Sequence, residues 1–512
     1  MFNIIKKNPI IFLAAIIFVA AAVLAFFSAK FVLAFVFALG LLALSSQRME
    51  IGLYFLMVYI PLEPFLLKFI DEDLILYFKY GNEALIFLLL IITLIKYFKK
   101  HGFKYIKTPI DLLLAIFILI TIVSAVANLE NPVFWILGLR QIFRYVLLYY
   151  IIIYSELSRK TSQRLAVLLM ILLAAQAAIG LGQAIIGPGA DNFLMPDKKA
   201  NIEGFSSSEY DYYQFWESGQ RVFSTMGRYD ILGIFLCLAM LMAVGLIFEI
   251  KRFSSRFLLF IIFLFSLVTL ALTYSRMSWL ALVLGVFFMG VIIKRNKKII
   301  FFLLIGLILL TAYLGAYVST NNIDISRLND QADMTLASRF LMLFSLSDLK
   351  NSYKYQGRLY FIVKTPAVVV KNYPLLGVGL GQYGSGVAFA LHNTSKYDEL
   401  GLPFGIEDRE GQIDNNWFSL WGETGTLGLI ALAVMIYGLF RYGLKIYNNS
   451  QDKFIKGVGL GFGAVVLAFS WLTLLGPYFE SRIPSFYFWL LAGLTVNLGI
   501  KEKIKIKKYE IK

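Results

Sequence analysis

The sequence is poor in the residues that metal and redox chemistry use. Cys237 is the single cysteine and lies inside an apolar run, which excludes a disulfide framework and a cysteine-based metal site. No Walker motif, HExxH, GxSxG or Cys/His zinc spacing occurs, so ATP-driven pumping and metalloprotease chemistry have no support. No internal repeat is visible, and with it the inverted-repeat sign of many secondary transporters is missing. Charged residues make up only 16% of the chain, against 59% hydrophobic ones and a mean hydropathy of +0.73. Apolar runs of bilayer-spanning length recur throughout, which defines a polytopic membrane protein.

With roughly 20 helical residues needed per crossing, spans are expected near 9–28, 31–46, 50–68, 83–98, 110–127, 133–153, 165–186, 230–249, 257–273, 276–293, 299–318, 425–443, 455–475 and 484–500. The fold class is thus all-α, a polytopic helical bundle of about fourteen transmembrane helices (12–14). The first run follows Lys6 and Lys7 as a signal peptide would. It is too long for one, and a second run follows at once, so it reads as a retained span.

The net charge of +16 sits in short segments between apolar runs, which marks topology and not nucleic-acid binding. Lys6–Lys7, Arg48, the group from Lys96 to Lys107, Arg159–Lys160, Lys251–Arg252, Lys294–Lys298 and the basic tail all fall on one side of the fourteen-span arrangement. Both termini are therefore expected in the cytoplasm. The organisation expected is N-terminal helices over 1–186, an exported loop over 187–229 and helices over 230–318 with an Arg276 hairpin. A large exported loop over 319–424 follows, then C-terminal helices with a cytoplasmic tail over 425–512. The large loop is too rich in Tyr, Trp and Leu for disorder. Within it LASRFLMLFSL (336–346) and GRLYFIVKTPAVVVKNYP (357–374) read as interfacial helices.

An intramembrane arginine costs about 2.5–3.5 kcal/mol and persists for a reason. Arg276 stands at a tight hairpin, Arg221 lies just ahead of a span with Arg228 beyond it, and Arg358 heads an interfacial helix. Each on its own also fits an arginine snorkelling to lipid phosphate. The segment IDNNWFSLWGETGTLGL (413–429) is the acidic counterpart. As one helix over 414–424 it sets Asp414 and Glu423 on opposite sides, ~13 Å apart along the axis, so they are no catalytic pair. Asp414, Asn415 and Trp417 are candidates to touch a polar substrate, with a helix N-cap as the plainer reading of Asp414. Glu423, lying deeper, needs a cation or backbone donors. Gly422, Gly425 and Gly428 form a smooth strip for close helix approach. His392 is a candidate general base, though a solvated loop histidine is the simpler reading. The acidic run Asp71, Glu72, Asp73 fits a divalent ion or, more simply, a hydrated surface.

Four stretches in order over about 220–440 resemble the O-antigen polymerase and O-antigen ligase superfamily of bacterial polysaccharide assembly. They are RVFSTMGRYDILGIFLCLAM, LALTYSRMSWLALVLGVF with its T-x-S-R pattern, GRLYFIVKTPAVVVKNYPLLGVGLGQY, and DNNWFSLWGETGTLGL. The resemblance implies a GT-C-like membrane glycosyltransferase acting on glycan carried by polyprenyl pyrophosphate at the exported face of the cytoplasmic membrane. It implies no metal and no other cofactor. It further implies arginine stabilisation of the departing diphosphate by Arg221, Arg276 and Arg358, with Asp414 orienting or deprotonating an acceptor hydroxyl. Arg228, Asn415, Asn416, Trp417, Trp421, Glu423 and His392 are the implied substrate contacts. Expected partners are the glycan donor and acceptor, membrane lipid, and flippase and chain-length regulator proteins, with no nucleic acid. The ligases resemble one another in having histidine first in the polar pair, where this chain has Asp414, so the polymerase branch is favoured. Ligation to a lipid A core is the alternative, and a lipid-linked oligosaccharide flippase is the rival from another class.

Overall fold

A computed structural model describes residues 29–129, 131–196, 221–325, 335–405 and 412–504. The helices, in order, are α1 (Ala29–Gln47), α2 (Met49–Leu66), α3 (Glu72–His101), α4 (Asp111–Ala127), α5 (Pro132–Phe143), α6 (Val146–Tyr154), α7 (Arg159–Ile186) and α8 (Pro188–Leu194). They continue with α9 (Tyr229–Glu249), α10 (Phe253–Leu272), α11 (Arg276–Phe287), α12 (Lys297–Asn321), α13 (Leu336–Leu341), α14 (Leu346–Lys354) and α15 (Arg358–Lys364). The chain closes through α16 (Gly386–Ala390), α17 (Ser395–Leu400), α18 (Asn416–Asn449), α19 (Lys453–Thr473) and α20 (Arg482–Lys501). The described residues contain no strand beyond one isolated bridge, Gly384 to Gln412.

The chain is an all-α polytopic membrane protein. Among the described residues ten helices are long and apolar enough to cross a bilayer, and α5 with α6 makes an eleventh if the bent pair is one span. Two shorter apolar helices, Val36–Gln47 and α4, stand where spans are expected. The expected first span, 9–28, lies outside the described residues. The expected continuous span 133–153 is a correction: α5 and α6 meet at a 55° bend, across Arg144 and Tyr145.

Burial sorts the bundle radially. Every residue from Asp230 to Leu246 of α9 and from Ile483 to Gly499 of α20 is buried, so these two helices form the axis. α12 contributes no buried residue to its spanning window, and its Leu304, Leu307, Ile308 and Leu309 face outward. Lipid tails supply no hydrophobic drive between helices, so contact depends on close packing of small residues. At the crossing of α9 and α19 an added Cβ on Gly245 would meet the Gly457 carbonyl at 2.5 Å.

The basic connections gather at one end of the bundle. There Glu156 accepts from Lys100 (2.7 Å) and lies 3.0 Å from the His101 ring, while Lys501 donates to its carbonyl (2.6 Å). Lys294 pairs with Glu249 and Arg159 with Asp452 at the same end. The helix ends bearing Arg228, Arg276 and Arg482 lie opposite.

Candidate functional site

The polar segment that opens α18 is built inward. Asn415 is the N-cap, its Oδ1 accepting from the Phe418 N–H at 3.2 Å. Asn416 is fully buried. Its Nδ2 donates to Glu480 Oε1 (2.9 Å), and its Oδ1 accepts from the Phe479 N–H (2.8 Å). Trp417 Nε1 donates to the Ser470 carbonyl (3.1 Å) and Thr473 Oγ1 (3.0 Å), and Trp421 Nε1 donates to Thr426 Oγ1 (3.1 Å). These four side chains were expected on a substrate-facing wall. Asn415 and Asn416 instead turn inward, because buried polar groups need partners; the partly buried Trp417 and Trp421 fix their indole N–H groups on α19 and on α18 itself. Asp414 precedes the cap and the helix, so it is neither N-cap nor helical.

Glu423, expected to need a cation or backbone donors, is met by backbone donors: its Oε1 accepts from the Gly381 N–H at 2.8 Å and the Tyr383 N–H at 3.3 Å. A further expectation is corrected in the same region. The glycine strip was expected to receive another helix. It receives the PLLGVGLGQYG loop: the Val378 N–H donates to the Gly422 carbonyl (2.9 Å) and the Gly379 N–H to the Glu423 carbonyl (2.9 Å). Gly425 has φ +65° within α18, and a Cβ there would lie 2.3 Å from the Leu375 carbonyl oxygen. A short glycine-rich loop thus brings its own donors to a buried carboxylate, and fixed N–H groups offset the cost of burying it.

The predicted arginines fall around the head of α9. The Arg221 guanidinium lies over the Tyr229 ring at 4.3 Å. Its neighbour Val222 donates its N–H to the Leu272 carbonyl at 3.2 Å, which sets Arg221 beside the turn leading into Arg276. Ser275 and Ser278 pack on Gly233 one turn below Tyr229. Arg228 pairs with Asp230 through two 3.1 Å contacts, and the Tyr478 hydroxyl donates to the same carboxylate at 3.1 Å. Tyr478 is in the electrostatic reach of both Asp414 and Arg358. Those two are in contact: Arg358 Nε donates to the Asp414 carbonyl (3.1 Å), and Arg358 Nη2 lies 3.4 Å from Asp414 Oδ2. The Asp414 side chain is 55% exposed, which leaves it open to a substrate. His392 has φ +46° and packs its ring edge-on to Phe404 at 4.9 Å.

Sequence reasoning missed Arg339. It is buried in α13 and acts on Tyr229 together with Arg221 and Arg228. Its neighbour Phe340 stacks on Trp279 of α11 at 5.7 Å, so the interfacial helix tucks against the hairpin. Beside it an apolar groove of about 290 Å³ opens between α10, α11 and α12, lined by Leu267, Trp279, Tyr313 and Leu336.

A second basic centre was also missed. The α5–α6 bend turns Arg140 and Arg144 inward. Glu83 accepts from Arg140 Nε (2.9 Å) and Nη2 (2.5 Å) and from Arg144 Nη1 (3.0 Å). Arg482 Nη1 donates to Glu63 (2.5 Å) and to the Lys79 carbonyl (2.7 Å). These arginines, with Lys79, Arg228 and Glu480, line a cavity of about 320 Å³. Glu480 accepts from the Gly386 N–H (2.9 Å) and Asn416. Burial pushes its carboxyl up to about 7, against the lowering effect of that N–H, Arg144 and Asn416. The available signal was arginine inside an apolar run, which marks a site by default; attention to span ends alone passed over it. Among the described residues, no group of three or more His, Cys, Asp or Glu side chains is placed to hold a metal ion.

No curated protein matches the chain. Residues 260–433 match the family model described as O-antigen ligase, a stretch that contains Arg276, Arg339, Arg358, Asp414 and Glu423. Members of that family are glycosyltransferase-like enzymes. The match covers about a third of the chain, and over that segment it supports the resemblance to the O-antigen polymerase and ligase superfamily.

Proposed function

We propose that the protein polymerises polyprenyl-pyrophosphate-linked oligosaccharide repeats at the exported face of the cytoplasmic membrane, without a metal. The observation that supports this most is the row of groups around the head of α9, joined by contact or by electrostatic reach. It runs from Arg221 on Tyr229, through Arg228, Asp230 and Tyr478, to Asp414 and Arg358. In the reaction an acceptor sugar hydroxyl attacks the anomeric carbon of the donor, and the bond to the diphosphate oxygen breaks. Negative charge grows on the diphosphate, and guanidinium groups from Arg221, Arg276 and Arg339 neutralise it in a low-dielectric setting. The donor's lipid tail has a path along the apolar groove beside Phe340. Asp414, held by Arg358 yet half exposed, accepts the proton of the attacking hydroxyl.

A carrier would need charge leading through the bundle. The buried stretches Ile231–Leu246 of α9 and Ile483–Gly499 of α20 contain no charged residue, so the ionisable groups at this end have no such continuation along the axis. The test is incubation of purified protein with a synthetic polyprenyl-pyrophosphate repeat, read as a product ladder. Polymerisation yields a ladder; a single transfer to a second lipid marks a ligase and overturns the reading. Arg276→Lys keeps the charge but loses the planar fork, and ladder formation should fall about a hundredfold or more with membrane insertion unchanged.

A further inference from the structure

The cavity under the α5–α6 bend is the least economical feature of the molecule. Its wall carries Lys79, Arg140, Arg144, Arg228 and Arg482, with Glu480 as the one acid that lines it. Glu63 and Glu83 grip the arginines from behind, and Asp230 grips Arg228. A purely structural ion network closes on itself, with charges balanced and space filled, because uncompensated buried charge is costly. Here five basic side chains converge on an opening large enough for several water molecules, with Glu480 the one acid among its described lining residues. Arg144 Nε is buried with no partner among the described residues. Carboxylates behind the wall fix the guanidinium planes, and rigid planar donors of this kind are suited to recognising a tetrahedral oxyanion.

We infer that this cavity is a second oxyanion subsite, taking a phosphate or diphosphate group and sharing only Arg228 with the arginines around Tyr229. The inference rests on the proposed polymerisation only for the source of the anion, since an acceptor repeat carries a lipid diphosphate of its own. Arg228 belongs to both centres, so the two anions would sit either side of the Asp230–Tyr478 node.

The experiment uses full-length protein in nanodiscs and calorimetric titration with inorganic diphosphate. It is done in an Arg276→Gln background, which weakens competition from the other centre. Binding there should weaken about tenfold or more on adding Arg140→Gln, which removes a cation from the wall. It should weaken likewise with Ala390→Glu, which sets a carboxylate on the cavity wall, and persist with Ala390→Gln, which matches its size without charge. Unchanged binding in both Arg140→Gln and Ala390→Glu overturns the subsite. So does glucuronate binding where diphosphate does not. Displacement of inorganic diphosphate by farnesyl diphosphate supports a lipid-borne source, and failure to displace it overturns that source in favour of the free anion. None of these readouts needs glycosyl transfer, so a failed product ladder leaves them intact.

Discussion

Glu480 shows how one side chain takes its properties from position. It stands in a short turn ahead of α20, and burial raises its carboxyl to about 7 from the ordinary 4.5. A carboxyl raised in the folded state adds stability that is complete below its unfolded value and is lost as pH rises through the folded one. The protein should therefore lose stability between about pH 5 and pH 8 through this group, by no more than about 3 kcal/mol. Glu480→Gln should flatten that dependence in thermal unfolding scans. A variant with the parent's slope would show that Glu480 does not titrate in this range. Asn416 would be the first residue to feel the change, since its amide donates to that carboxylate.

At the level of elements, the decisive contact is between the head of α18 and the glycine-rich loop before α16. Neither supplies a site alone. The loop needs the carbonyls of Gly422 and Glu423 as acceptors, and Glu423 needs the loop's N–H groups. Gly425 makes the approach possible through its left-handed backbone and missing Cβ. Gly425→Ala should cost at least about 2 kcal/mol, from the strained backbone and the displaced Leu375 carbonyl together. Transfer activity should be lost with it. Gly306→Ala on α12, where an added Cβ meets nothing within 4 Å, is the control and should leave the melting temperature unchanged in detergent. Equal effects at the two positions would remove the contact from the argument.

Across the whole molecule, charge is polarised between the two ends of the bundle. The lysine-rich connections meet around Glu156, Glu249 and Asp452, and the arginine centres occupy the opposite end. We propose that the arginine end is exported. Cys237 is buried in α9 and should give little background in thiol labelling. In spheroplasts a membrane-impermeant maleimide should label Lys371→Cys without lysis and Lys298→Cys only after it. The reverse pattern would put the arginine centres in the cytoplasm and end the proposal of exported-face polymerisation.

Apolar run length and lysine placement were enough, on the sequence alone, to determine the class, the places of most of the described helices and the segregation of charge, because bilayer thickness and hydration act on each segment separately. Arg221, Arg276, Arg358 and Asp414 were recognisable as polar residues at the ends of such segments. Only the tertiary structure decided that Glu423 answers to backbone amides, that Asn415 and Asn416 face inward, and that Arg140, Arg144 and Arg482 converge with Glu63 and Glu83. Those pairings join residues as many as 419 positions apart. A local pattern holds no information about which distant helix will offer the partner, since close packing of the assembled bundle makes that choice.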